Sequence, residues 1–192
     1  MPALTALLTA GWIAAQGCAA PLGWTLQWEQ PLPRQGPSGQ AIGGFSAIVH
    51  EPQQGRIWLL SDLPQAELSA WTLPGQRSAP RLLLQRPIGS TDGEALDGEG
   101  LVLAGDQLWI ASEGRRTGDR PALLLRVNRR DGRTLQRVPL PAALQAAPGL
   151  GLASNAGPES LTRLSAPGEP LQLLMAAERP LLQDPDGQVR LL

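Results

Sequence analysis

Short apolar runs, separated by turns rich in glycine and proline, make up most of the chain after its first twenty residues. The runs are too short for typical helices, and they lack the 3.6-residue repeat of an amphipathic helix. Several flank a tight turn, as at Glu51–Gly55 and at Gly105–Asp106. A strand, a turn and a second strand form the signature of a β-hairpin, so the pattern predicts an all-β chain.

The predicted strands follow one another at short intervals. They are 45–49, 56–61, 66–73, 81–85, 100–104, 107–112, 123–127, 134–138, 160–164 and 170–176. A strand is also expected at 24–28. A last hairpin is expected from Leu182 onward, with its turn at Asp186–Gly187 and its second strand at Leu191–Leu192. Residues 139–149, rich in proline and alanine, are predicted to be a connector.

Three of these runs end on a small residue followed by an acid, at Asp62, Glu113 and Glu178. Glu99 and Glu159 precede the second and third runs at a similar offset, where the first run has the segment 43–48. The interval between units matches the scale of one propeller blade with loop insertions. We therefore predict a partial β-propeller of about three to four four-stranded blades, whose acids converge. So few blades do not close a ring easily, and the chain is expected to be incomplete at its C-terminus.

Composition and charge narrow the possible partners. The chain has 192 residues, of which 42% are hydrophobic and 17% charged, and this composition favours a folded domain. The formal net charge is −1, so nucleic acid is not an expected partner. All sixteen basic residues are arginine. Arginine suits phosphate or carboxylate recognition, but a coding bias is the favoured explanation because the arginines are scattered along the chain.

Residues 1–20 resemble a secretory signal, and the propeller domain is assigned to 21–192. The apolar stretch 3–15 is too short to span a bilayer, so no transmembrane span is expected. No basic residue precedes Arg34, which makes the signal atypical. A lipid anchor at Cys18 is the less favoured alternative to cleavage. We expect a bacterial protein exported to the periplasm or the extracellular space.

Four motifs resemble, in order, those of the bacterial family known as esterase-like activity of phytase, the phytase-like β-propellers. They are Gly43–Ile48 with Trp58–Asp62, Asp97–Leu101, Leu108–Gly114, and Asn155–Leu161 with Ala176–Leu181. Two positions depart from the family pattern: Pro158 precedes the third acid, and Ser160 replaces the usual glycine after it. The resemblance implies an exported propeller that hydrolyses phosphoesters or other esters. Typical members continue for another hundred or more residues, so the resemblance also implies a truncated member.

The five repeated acids are the candidate metal ligands. They are Asp62, Glu99, Glu113, Glu159 and Glu178. Carboxylates brought to one end of a channel are the ligands that Ca²⁺ prefers, and a cation would relieve their mutual repulsion. The alternative is that they cap strand ends. Arg115 and Arg179 lie just beyond two of the acids and are candidates for binding a small anionic substrate, or for plain surface ion pairs.

Other chemistries find little support. Ser46 lacks the Gly-x-Ser-x-Gly context of a nucleophile elbow, and His50 is the only histidine, at a turn. One histidine and one cysteine exclude the usual zinc sites. Trp58 and Trp109 occupy equivalent positions in two units and are expected to be core residues rather than stacking platforms.

Three hypotheses about function remain open. The first is a Ca²⁺-dependent hydrolase of phosphoesters or related esters, with carboxylates that hold the metal and activate water. The second is a non-catalytic propeller that binds a ligand or a protein in the cell envelope, because the fold serves both purposes. The third is a nonfunctional fragment of the family.

Overall fold

The computed structural model describes residues 23, 25–26, 29–62, 66–73, 79–88, 96–115, 120–185 and 187–192. The signal-like segment 1–20, with Cys18, lies outside the described residues, as do Trp24, Gln27 and Trp28 of the strand predicted at 24–28. No helix within the described ranges has both the length and the hydrophobicity that crossing a bilayer requires.

The described residues form ten β-strands. In chain order they are β1 Phe45–Glu51, β2 Arg56–Ser61, β3 Glu67–Thr72, β4 Leu82–Pro87, β5 Gly98–Ala104, β6 Gln107–Ser112, β7 Leu123–Asn128, β8 Thr134–Pro139, β9 Pro158–Arg163 and β10 Leu173–Ala177. The helical turns among the described residues are two short 3₁₀ segments, Pro52–Gln54 and Ala142–Leu144. The predicted all-β class is confirmed, and most strand boundaries lie within two residues of those expected.

The strands form three antiparallel sheets in chain order. The first has the order β1-β2-β3-β4, the second β5-β6-β7-β8, and the third pairs β9 with β10. A four-stranded meander is the unit from which propeller blades are built. The first strands of the sheets, β1, β5 and β9, contact one another in succession, so they form the inner edge. The partial propeller-like fold is therefore confirmed, with two four-stranded sheets and a third of two strands.

The end of the chain does not form the predicted separate hairpin. The backbone groups of Met175 and Leu192 exchange two hydrogen bonds, of 2.7 and 2.9 Å, and Ala176 and Leu191 form an antiparallel bridge. The final residues therefore extend the third sheet along the edge of β10. Without this pairing the edge of β10 would leave N–H and C=O groups without partners, and the final residues of the chain supply those partners. Asp186, in the predicted turn, lies outside the described residues.

Two hydrophobic cores lie between successive sheets. The first joins the first two sheets through residues such as Trp58, Leu68 and Leu125. The second joins the second sheet to the third and to the connector, through Leu144, Leu161 and other residues. Trp58 is fully buried in the first core, as expected. Its counterpart Trp109 is partly buried and packs against the second core.

The inner strands β5 and β9 approach each other closely because residue 100 is glycine. A Cβ atom at Gly100 would lie 2.7 Å from the Cβ atom of Leu161 and 2.8 Å from its backbone nitrogen. Contacts this short are not tolerated, so any side chain at position 100 would push the two strands apart. The glycine therefore allows the two strands that carry Glu99 and Glu159 to lie close together.

A buried cluster of ion pairs joins the first two sheets at the C-terminal end of β1. The side chain of Glu51 is fully buried and accepts hydrogen bonds from Arg56, Arg129 and, at 2.9 Å, the indole N–H of Trp58. Burial alone would raise the pKa of Glu51. The hydrogen bonds from Arg56 and Trp58, and the charges of Arg56 and Arg129, outweigh burial and lower it. The carboxylate therefore stays ionised and holds the two sheets together.

Candidate metal centre

Each inner strand carries a β-bulge at the same point. The pairing register slips between Phe45 and Ala47 in β1, between Gly98 and Gly100 in β5, and opposite Ala176–Ala177 in β9. The residues left out of the ladder are Ser46, Glu99 and Glu159. Bulges re-aim side chains and are frequent beside active sites. The repeat thus places one side chain per sheet at an equivalent position, and in two sheets it is a glutamate.

The acid that follows the second strand of each unit is held just past the end of that strand. The backbone N–H of Asp62 donates to the carbonyl of Gly44 at 2.8 Å, that of Glu113 to Asp97 at 2.7 Å, and that of Glu178 to Gly157 at 2.9 Å. These bonds lengthen each inner hairpin by one rung. As a result the three acids sit at the same end of the sheets as the bulges.

Five carboxylates from the second and third sheets form one continuous cluster. Asp97, Glu99 and Glu113 make one group of three, and Glu113, Glu159 and Glu178 make the other. Within each group the carboxylate oxygens that could act as ligands all lie within 4.8 Å of one another. Four of the five predicted ligands therefore come together, and Glu113 belongs to both groups. Asp62 is exposed and belongs to neither group, although its charge contributes to raising the pKa of Glu99.

Glu113 is the buried centre of the cluster, with 3% of its surface exposed. Its pKa is raised to about 7: burial is the largest cause, the N–H of Gly157 opposes it, and the charges of Glu159 and Asp97 add to it. That N–H donates to Oε1 of Glu113 at 3.1 Å. Glu113 thus also has the structural role that was the alternative expectation for these acids.

Glu99 and Glu159, the two bulge glutamates, also have raised pKa values. For Glu99 burial is the largest cause, followed by the charges of Glu159 and Asp97, and the pKa is about 7. Glu159 is exposed, so partial desolvation by its neighbours, followed by the charge of Glu178, raises its pKa, while a hydrogen bond with Glu113 opposes them. The Glu113 and Glu159 carboxyls therefore influence each other's pKa directly.

Asp97 is a member of the cluster that was not among the predicted ligands. It is buried, with its Oδ2 atom 2.9 Å from Nη1 of Arg120, and its backbone N–H donates to the hydroxyl of Ser112 at 3.2 Å. The equivalent positions in the other two units are Gly44 and Gly157, so comparison of the repeats gave no signal. The available signs were its spacing of two residues from Glu99 and its place at the start of the motif Asp97–Leu101.

The two predicted anion-binding arginines differ in their surroundings. Arg179 is 67% exposed, and its Nε lies 3.5 Å from Oε1 of Glu178, so it forms a surface ion pair at the edge of the cluster. Arg115 is exposed, and its backbone N–H donates to the carbonyl of Arg120 at 2.6 Å. Together with Glu113 it lines a cavity of about 220 Å³. Arg115 is therefore the better placed of the two for a ligand.

Ser46 does not have the surroundings of a catalytic nucleophile. Its hydroxyl donates to the backbone carbonyl of Gly98, and Leu60 offers a second carbonyl at 3.4 Å. His50 is exposed and pairs with Ile57, near the other end of β1. The structure thus places the serine and the histidine near opposite ends of the strand.

The sheets follow one another with their first strands in contact, and the acids at the bulges lie at one end. This arrangement defines a propeller-type protein with a carboxylate-lined site. The chain belongs to the Phytase-like family, described as esterase-like activity of phytase, whose family model matches residues 40–192. The match includes all ten strands and all five clustered carboxylates, and it confirms the resemblance inferred from the motifs. No significant match was found among curated proteins or among solved structures.

Proposed function

We propose that this protein is an exported, Ca²⁺-dependent hydrolase of phosphoesters or related esters, acting in the periplasm or outside the cell. Membership of the Phytase-like family supports a hydrolase-type function at the family level. The observation that carries the rest of the proposal is the pair of carboxylate triads that share Glu113. Loops and strand ends positioned by a rigid scaffold are common places for such sites.

The carboxylates fit a hard cation. Calcium binds six to eight oxygen ligands at about 2.3–2.6 Å, so two of its ligands are at most about 5 Å apart. The oxygens within each triad meet this limit, since all lie within 4.8 Å of one another. The donors are all carboxylate oxygens, which suit calcium better than zinc. Asp97, Glu99 and Glu113 would hold one ion, and Glu113, Glu159 and Glu178 are the second possible set.

The raised pKa values are a second sign of crowded like charges. Without a cation the cluster keeps protons near neutral pH, because burial and mutual repulsion disfavour the ionised forms. A bound calcium ion would polarise a phosphoryl or carbonyl oxygen and lower the pKa of a bound water. If Glu113, Glu159 and Glu178 hold the ion, Glu99 remains as a nearby, partly exposed carboxylate that can accept a proton from that water. Arg115 is suited to orient an anionic group.

The experiment is thermal unfolding of the full chain with calcium and with excess chelator, followed by hydrolysis of p-nitrophenyl phosphate under both conditions. A ligand that binds only the folded state stabilises it by about 2.7 kcal/mol at a hundred times its Kd. We expect the Tm to rise with calcium and hydrolysis to stop with chelator. Hydrolysis that persists at full rate in chelator, and in the Glu113→Gln variant, would overturn the proposal.

The second candidate function is a cation-dependent binding module without catalysis. One observation favours it: the first sheet has Ser46 at the bulge position that Glu99 and Glu159 occupy in the other two, so the acid ring is not repeated in every unit. A calcium-dependent rise in Tm with no hydrolysis of phosphate or carboxylate esters would select this candidate. A non-cooperative melt would instead favour a nonfunctional fragment.

A further inference from the structure

The cavity beside the carboxylate cluster has walls unlike the cluster itself. It has a volume of about 220 Å³ and meets the cluster at Glu113. Five of its described lining residues are apolar, namely Pro121, Ala122, Ala146, Leu152 and Ala153. Arg115 brings the one cationic side chain among the described residues that line it. An apolar recess with few polar groups at one end is the usual form of a small-molecule site.

The connector between β8 and β9 keeps this cavity open. The side-chain amide of Gln145 donates to the carbonyl of Leu140 at 2.9 Å, which fixes the turn against the second sheet. The backbone N–H of Leu152 donates to the carbonyl of Leu144 at 3.1 Å, and both leucines are buried in the second core. Gly151 packs so tightly that a Cβ atom there would lie 1.9 Å from the carbonyl oxygen of Gln145. The wall is therefore formed before any ligand arrives, and binding would need little ordering.

We propose that this cavity is the subsite for the uncharged organic group of the substrate, while the carboxylate cluster handles the ester. The substrate class is then a monoester with a single anionic group and a small apolar or aromatic group, rather than a polyphosphorylated polyol. This inference rests on the proposed function and makes its substrate class specific.

Size and charge both favour such a monoester. A volume of about 220 Å³ is below the roughly 300–1,000 Å³ of pockets that take drug-sized ligands, so it suits one ring or a short alkyl chain. Glu113, one of the five clustered carboxylates, lines the cavity, and Arg115 is the described cation that lines it. A substrate with several phosphates would place many negative charges against these acids, and like charges in contact are unfavourable.

The test compares binding of phenyl phosphate, inorganic phosphate and fructose 1,6-bisphosphate to the full chain by NMR titration, once with calcium and once with chelator. We expect phenyl phosphate to bind about tenfold or more tightly than either comparator, because its ring leaves water for the apolar cavity. Ala153→Leu and Ala146→Leu fill the cavity and should remove this preference. Ala142→Leu is the matched control, since Ala142 is exposed in the same connector.

Two failures can be told apart. If calcium raises the Tm but phenyl phosphate binds no better than phosphate in either condition, the subsite is overturned and the metal site stands. If calcium has no effect, the proposed metal function fails. A phenyl phosphate preference seen in chelator and lost in Ala153→Leu would then still support the cavity as a binding site. A preference that survives both cavity-filling variants, each with an unchanged Tm, would also overturn the subsite.

Discussion

The backbone N–H of Gly157 donates to Oε1 of Glu113 at 3.1 Å, across the boundary between the second and third sheets. Glu113 ends the inner hairpin of one sheet, and Gly157 immediately precedes the inner strand of the next. One carboxylate therefore both belongs to the candidate metal site and fixes the relative position of two sheets. The geometry of the candidate metal site and the packing of the third sheet against the second therefore both depend on the hydrogen bond between Gly157 and Glu113.

Gly157→Ala should disturb both functions. A Cβ atom at Gly157 would lie 2.2 Å from the carbonyl oxygen of Glu113 and 2.7 Å from its Cγ. The backbone at Glu113 would have to move to relieve these contacts. We therefore expect a loss of about 3 kcal/mol in the free energy of unfolding, measured by urea denaturation. Gly149→Ala is the control, because a Cβ atom there meets open space and only the left-handed backbone is strained, at about 1 kcal/mol. Equal losses in the two variants would contradict the close contact.

Stability without metal should fall as the pH rises from 5 to 8. The folded-state pKa of Glu99 and of Glu113 is about 7, above the ordinary value of 4.5, so between these values the folded state binds more protons than the unfolded state. The free energy of unfolding then decreases with rising pH through this window. Thermal melts in chelator at pH 5, 6, 7 and 8 measure the slope. Glu99→Gln and Glu113→Gln should flatten it, since each replaces a titrating group with a neutral one.

If the cluster binds calcium as proposed, calcium should reverse that slope, because metal ligands bind in their ionised form. The rise in Tm caused by calcium is expected to be larger at pH 8 than at pH 5. A calcium effect that is constant across the pH range would mean that the ion binds somewhere other than the groups with raised pKa values.

The repeated part of the architecture was accessible from the sequence. Short apolar runs with tight turns between them fix local strand pairing, so the two four-stranded sheets follow from neighbouring segments. The acids at 99, 113, 159 and 178 were found because each repeats relative to its own hairpin. The predictions from the sequence agree with the structure wherever a residue's position depends on residues close to it in the sequence.

The features that the sequence analysis missed depend on contacts between residues that are far apart in the sequence. Asp97 has glycines as its counterparts in the other sheets, so no repeat revealed it. Glu51 accepts a hydrogen bond from Arg129, which lies 78 residues away in the sequence. A glutamate next to a turn gives no sign in the sequence that it is buried. The last residues pair with β10 instead of forming their own hairpin, because an unpaired strand edge stabilises them more than an isolated hairpin would. The bulges likewise arise from pairing and are not visible in composition.

The carboxylates should differ in their effect on calcium affinity. Glu113 belongs to both triads, whereas Glu99 and Glu178 belong to one each. We therefore expect Glu113→Gln to weaken calcium binding most, by about a hundredfold, and the single-triad variants by about tenfold, at roughly 1.4 kcal/mol per factor of ten. Isothermal titration calorimetry measures this. Asp106→Asn is the control, because Asp106 lies in the exposed β5–β6 turn. Equal affinity in all the variants would contradict a site at the cluster.

The Glu51 cluster should govern stability without affecting the metal site. Glu51→Gln leaves Arg56 and Arg129 partly buried without their carboxylate, and breaking a buried ion pair costs about 3–5 kcal/mol. Urea unfolding should show this loss, and calcium affinity should not change, because Glu51 lies about 17 Å along β1 from the bulge at Ser46 at 3.3 Å per residue. His50→Gln, at the exposed neighbour, should alter stability by less than about 0.5 kcal/mol. A Glu51→Gln protein as stable as the His50→Gln protein would show that the cluster does not hold the sheets together.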